Sequence, residues 1–245
     1  VWIPRYEYQY TNLGDQYAGG TQVQPGEIKI NFIAASQTNP SDSGVYKIPE
    51  GFTFGSENLS GFWMGKFETT GSMSAACTDE NCTTADLSIM PNLPSVREQT
   101  VSSFFYASRA MQNSTNANKY GFDVIGSGTQ DTHMAKNSEW GIVAYLSQSK
   151  YGKYGNSAYS GANKEIYQNK SATFTTGMSN GTPSQETAST QIPYDTKDTG
   201  YGASTTGTIY GIYDMSGGSY EYVMANYNNI DGASGFNPFP DSKYY

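Results

Sequence analysis

The chain has 245 residues, of which 36% are hydrophobic and 15% charged, with 27 Gly, 21 Tyr and a formal net charge of −8. Low charge argues against a solvated disordered chain. The wealth of Gly, Tyr, Ser, Thr and Asn argues against a helical bundle and fits a loop-rich, β-containing extracellular protein. The 14 basic residues form no cationic stripe, which speaks against nucleic acid, and no apolar run of about 18 residues is present to span a membrane.

Residues 1–10 alternate, placing Trp2, Tyr6, Tyr8 and Tyr10 on one face of a strand, and 27–36 ("EIKINFIAAS") read as a second. "GFWMGKFETT" (61–70) alternates again, with Trp63, Gly65, Phe67 and Thr69 on one side, and its Gly signals close backbone approach or a bulge. Cys77 and Cys82, five positions apart in a polar loop, read as a small disulfide-closed loop, the alternative being two free thiols. With His133 as the only histidine, zinc is not expected. Five tripeptides match the N-glycosylation pattern, starting at Asn58, Asn81, Asn113, Asn169 and Asn180. A chain this rich in Asn, Ser and Thr produces such matches by chance.

A helix is expected from about Pro94 to Gln112, with Val101, Phe104, Phe105, Ser108 and Met111 at helical spacing and Pro94–Ser95 as its start signal. A second helix is expected from about Asn137 to Lys150. Asn137 or Ser138 would cap it, Trp140, Val143, Ala144 and Ser147 would line one stripe, and Gly152 would end it. Glu139 is expected to complement the helix N-terminus and Trp140 to anchor the core. Residues 151–208 lack periodicity and read as a long loop excursion.

Three segments stand in a known order: "GFWMGKFETT", "SEWGIVAYL" and "GIYDMSGGSYEYV". Together they resemble the formylglycine-generating-enzyme (sulfatase-modifying factor) type of C-type-lectin-like domain. Phe62 to Glu68 and Thr70 match its first block, Glu139 and Trp140 its second, and Gly211, Tyr213, Asp214, Met215, Gly217 and Glu221 its third. More narrowly, "DTHMAKNSEWGIVAYLSQSKYG" and "STTGTIYGIYDMSGGSYEYVMA" look like the extracellular portion of prepilin-like surface proteins of Firmicutes and related gut bacteria. The resemblance implies an α+β fold, with two helices packed on short, mostly antiparallel strands. One extracellular domain would span 1–245, with N-terminal strands and loops over 1–60 and a family-like core over 61–225. The family's R-G-G and G-F-R segments and its catalytic cysteines are absent from the C-terminal part. Either the fold is completed differently or the polypeptide continues past Tyr245.

The resemblance implies a calcium ion at the third block, with the carbonyls of Ser216, Gly217 and Ser219 and the carboxylate of Glu221 as ligands. The asparagine usual before the aromatic is Gly218 here. The alternative is structural: Gly217 and Gly218 supply positive-φ positions for a tight turn while Tyr220 and Tyr222 pack inward. His133 has no identifiable nucleophile to serve, and no hydrolase elbow, phosphate loop or zinc-protease motif occurs. The Tyr/Gly/Ser/Asn texture of 151–167 suits recognition loops or contacts between filament subunits, and marks Tyr151, Tyr154, Tyr159, Tyr167 and the later Tyr227 as ligand-binding candidates. The expected function is non-enzymatic ligand or host-surface binding on a cell surface or pilus-like appendage. The alternatives are a structural filament subunit whose partners are its neighbours, and an active formylglycine-generating enzyme.

Overall fold

The computed structural model describes residues 1–10, 27–128, 130–184, 190–226 and 233–245. Tyr227 lies outside the described residues. Among the described residues three helices and five antiparallel strand pairs make a mixed α and β fold whose sheets are open and two-stranded. Among the described residues no helix is long and apolar enough to cross a membrane.

The N-terminal strand is two strands, β1 (Trp2–Pro4) and β2 (Tyr6–Tyr10), broken at Arg5. Arg5 turns inward, and its guanidinium donates to the carbonyls of Phe52 (2.9 Å), Gln37 (3.2 Å) and Leu59 (3.4 Å), so the buried charge is met by backbone dipoles. β2 pairs with β3 (Ile28–Phe32) in the register Tyr6↔Phe32 to Tyr10↔Ile28. The period of two sends Ile28 and Ile30 into the core with Tyr6, whose hydroxyl donates to the Ile142 carbonyl at 2.6 Å. Tyr6, Tyr8 and Tyr10 share the expected face, the Tyr8 and Tyr10 rings meeting each other and Tyr145, whereas Trp2 belongs to β1 and is exposed. β4 (Thr53–Phe54) and β5 (Glu57–Asn58) form a short hairpin, and β6 (Gly61–Trp63) pairs with β1.

The expected strand over 61–70 stops at Trp63. Trp63 is 77% exposed while Phe67 is buried, so the two are not on one face. The chain resumes as β7 (Thr70–Met73), paired with β8 (Ala85–Ser88), and the Cys77–Cys82 disulfide closes the loop between them, packed against Ala85, Leu87 and Ala107.

Helix α1 runs Val101–Ala110, several residues later than the start signal suggested. Thr100 is the N-cap, its hydroxyl accepting from Ser103 N at 3.3 Å, whereas Pro94 and Ser95 are extended and bridge to Thr175 and Thr70. The buried face is Ser102, Ser103, Phe105, Ala107, Arg109 and Ala110, of which only Phe105 belonged to the expected stripe. A short α2 (Ala117–Tyr120) follows. Helix α3 is Asn137–Ser147, with Lys136 rather than Asn137 or Ser138 at the N-cap position and its N–H donated to the Glu139 carboxylate. It buries Glu139, Ile142, Val143 and Ser147 while Trp140 stays half-buried. The short strands β9 (Met178–Ser179) and β10 (Ile192–Pro193) lie in the excursion and pair with each other.

Apolar side chains gather in four separate clusters rather than one core. A mean hydropathy of −0.58 leaves too few of them for a single large core, and buried polar networks fill the space between. The excursion is one such region. Lys153 is fully buried there, its ammonium donating to the carbonyls of Glu165 and Gly202 and lying 3.6 Å from the Tyr167 ring centroid and 4.5 Å from that of Tyr159. Burial lowers its pKa to about 7.

Candidate functional site

The third motif block folds as a tight turn at the junction of four distant segments. Asp214 takes the left-handed region (φ 65°) and is buried. Its carboxylate accepts from Gly177 N (2.8 and 3.0 Å), Asn169 Nδ2 (2.9 Å) and Glu68 N (3.3 Å). Asn169 in turn ties its backbone to the turn: its N–H donates to the Ser216 carbonyl at 2.8 Å, and its carbonyl accepts from Gly218 N at 2.8 Å. Gly217 and Gly218 both have φ near +79°, and a Cβ on Gly217 would sit 2.1 Å from the Asn169 carbonyl oxygen. Glycine is required here for conformation and for closeness at once.

The Glu68 carboxylate lies under the turn. It accepts from Ser219 N at 3.0 Å and takes a short hydrogen bond from the Ser95 hydroxyl. Glu221 accepts from the Trp140 indole N–H at 2.7 Å, fastening the far end of the turn to α3. Burial pushes the Glu68 carboxyl up to about 8, the Ser95 bond offsetting part of it while Asp214 and Glu221 add to it. Burial raises Asp214 as well, against its hydrogen bonds from Asn169, Gly177 and Glu68. Although Glu221 is exposed as a residue, burial of its carboxyl raises it to about 7 against the Trp140 bond, the Asp214 charge adding to the rise. Three mutually repelling carboxyls therefore hold the turn by accepting from amides, a hydroxyl and an indole.

Of the four calcium ligands that the resemblance implied, the Ser216 carbonyl already accepts from Asn169 N and one Glu221 oxygen from Trp140. The set supplies four oxygens where calcium takes six to eight. Among the described residues no group of three or more His, Cys, Asp or Glu side chains is placed to share a metal. The structural alternative is corrected in one respect: the glycines take the expected positive φ, but Tyr220 and Tyr222 do not pack inward. Tyr220 is 95% exposed and Tyr222 is exposed beside Phe104, with ring centroids 6.2 Å apart.

The tyrosine candidates separate. Tyr151 is exposed, its ring 4.7 Å from that of Phe32, and Tyr154 lies under the Lys164 ammonium at 3.9 Å. Tyr159 and Tyr167 are buried in a core cluster around Lys153, a placement that composition could not foresee. Of the glycosylation tripeptides, those at Asn113, Asn169 and Asn180 start on buried residues, while Asn58 and Asn81 are exposed.

From sequence Ser95 read only as a helix start signal and Asn169 only as a chance glycosylation match, and Gly177 was not singled out; no spacing signal joins them to the turn, because their partners lie tens of residues away. His133 belongs to a different network. Its ring nitrogens face Asp131 (3.0 Å) and Glu139 (3.2 Å), and Asp131 also receives Arg109 (2.7 Å) and the Tyr244 hydroxyl (3.1 Å). The histidine and Ser95 thus serve separate carboxylates and form no nucleophile–base pair.

No protein-family model, no curated protein and no solved structure matches this chain.

Proposed function

We propose that the chain is a lectin-like domain of the formylglycine-generating-enzyme type on a bacterial surface or pilus-associated protein. On this reading it binds an extracellular ligand or host surface without catalysing a reaction. The observation that carries the proposal is the turn at 216–222, where the exposed rings of Tyr220 and Tyr222 ride on a backbone fixed by the buried Asp214 and half-buried Glu68 carboxyls. Tyrosine gives large amphipathic contact area for few rotatable bonds, and a clamped backbone spares the entropy of ordering it on binding. The order of the three motif blocks supports the fold assignment. The bonding of Cys77 to Cys82, in a loop packed on α1, supports the non-enzymatic reading over a formylglycine-generating activity.

The test is binding to a panel of immobilised oligosaccharides and extracellular-matrix proteins, with self-association measured in parallel. Tyr220→Ala with Tyr222→Ala is expected to weaken binding by about tenfold or more, the range of interface aromatic anchors, with Tm unchanged because both rings are exposed. Loss of self-association alone would favour the filament subunit, and unchanged binding would end the proposal.

On the same reading the turn needs no metal, since its amides are paired within the protein. Five millimolar-range calcium, against a chelator, is expected to leave Tm unchanged (about 1 °C or less), whereas saturating a native-state site would raise it. A rise of several degrees that Glu221→Gln removes would establish calcium instead.

A further inference from the structure

A cavity of about 450 Å³ opens between the first turn of α3, the β4–β5 hairpin and the C-terminal residues, lined by Glu50, Thr53, Lys136, Ser138, Lys243 and Tyr245 among others. Both lysine ammonium groups converge on one ring: Lys136 Nζ lies 5.6 Å and Lys243 Nζ 5.2 Å from the Phe54 centroid, and the His133 imidazole is stacked on that ring at 5.1 Å. Lys136 is only 4% exposed, yet its ammonium has a single hydrogen-bond acceptor among the described residues, the Thr53 carbonyl at 3.0 Å. Neither lysine forms an ion pair among the described residues. In a chain of net charge −8, two unpaired cations on one cavity wall run against the overall field. Burial lowers the Lys136 pKa, and Glu139 and Glu50 offset only part of it, so a further anion would relieve the strain of desolvation.

We propose that this cavity binds a small oxyanion, a carboxylate or phosphate carried on a molecule of about monosaccharide size. Cavities of a few hundred Å³ suit small molecules of that class. Lys136 would be the buried contact, since an ammonium is a point donor with free N–H groups for an acid oxygen, and Lys243 the outer one at the mouth. The Glu50 carboxylate on the lining opposes the ligand and sets the affinity below what two cations alone would give. The proposal is independent of the tyrosine face and involves none of its residues.

The experiment is a titration of the whole chain with glucuronate, with glucose 6-phosphate and with glucose, followed by calorimetry or amide NMR at low salt. Both acids are expected to bind and glucose is not, the tighter acid identifying the source of the oxyanion. Lys243→Ala is expected to weaken binding by about tenfold, and added salt to weaken it further. Glu50→Gln is expected to tighten binding several-fold, a gain that a merely structural role for these residues would not produce. Lys136→Met, checked for an unchanged fold, is expected to abolish binding. Binding of glucose equal to that of the acids, no binding of either acid up to about 10 mM, or affinities unmoved by both Lys243→Ala and Glu50→Gln would each overturn the proposal.

Discussion

Gly217→Val is expected to prevent the chain from reaching its native state, whether or not calcium has any part in it. The residue sits at φ +79°, where an L side chain is strained, and a Cβ there would meet the Asn169 carbonyl oxygen at 2.1 Å and its carbon at 2.9 Å. Both atoms are backbone, so no side chain can swing aside. Moving Asn169 would break its two hydrogen bonds to Ser216 and Gly218 and pull its amide from Asp214, each worth about 1 kcal/mol net and more for the bond to the charged carboxyl. With left-handed strain of about 1–2 kcal/mol added, the total is about 4 kcal/mol or more, comparable with the whole stability of an ordinary domain. Gly121→Val is the internal control. It has φ +71° and nothing within 4 Å of a built Cβ, so it carries the strain without the collision and should cost about 1–2 kcal/mol. Urea unfolding and near-ultraviolet dichroism of the two variants separate the terms. Equal losses would mean that the turn can back away from Asn169 and that the two hydrogen bonds between them do not hold it.

The difference between those two glycines was not legible in sequence, and the reason is general to this fold. Local signals read well: α3 follows from its apolar spacing, though it ends at Ser147 with Gln148 as C-cap rather than at Gly152, β2 and β3 from their alternation, and the disulfide from two cysteines in a polar loop. The failures came where a residue's partner is far along the chain. Ser95 resembled a helix cap, but Glu68 and the Phe174 carbonyl claim its hydroxyl, and Thr100 caps α1 instead. Alternation through 61–70 promised one strand, but the Lys66 carbonyl accepts from Tyr213 N, which turns the chain inward after Met64 and leaves Trp63 outside. Tyr159 and Tyr167 looked like recognition residues because composition does not record that Lys153, a charged residue, occupies the centre of their cluster. The candidate site was legible as a motif and illegible as a network: Asp214, Gly217 and Glu221 were marked, and Glu68 and Trp140 in their own blocks, whereas nothing showed that these meet or that Asn169, Gly177 and Ser95 join them.

The other large effect is expected at His133, read through pH. Burial alone would lower its pKa, but hydrogen bonds to Asp131 and Glu139 and their charges raise it from 6.5 to about 9. A folded-state pKa above the unfolded one means that the native protein holds a proton the unfolded chain releases. The resulting stability is fully present below pH 6.5, declines as pH rises, and is gone above about pH 9. The shift corresponds to ~3 kcal/mol at most. Its anchor is firm, because Asp131 is fixed by Arg109 and Tyr244, Glu139 accepts from Lys136 N at 2.9 Å, and Phe54 stacks on the imidazole. Other groups titrate across the same range with effects of both signs. Glu68, raised to about 8, loses stability as pH rises, whereas Lys153, lowered to about 7, gains it. The parent's own profile is therefore a sum, and the informative quantity is its difference from His133→Gln. That difference, from urea unfolding, is expected to be larger at pH 6 than at pH 9.5 by about 3 kcal/mol. A difference that is the same at both pH values would show that the imidazole is neutral in the fold. The charge joining α1, α3 and the C-terminal Tyr244 would then be carried by Arg109 alone.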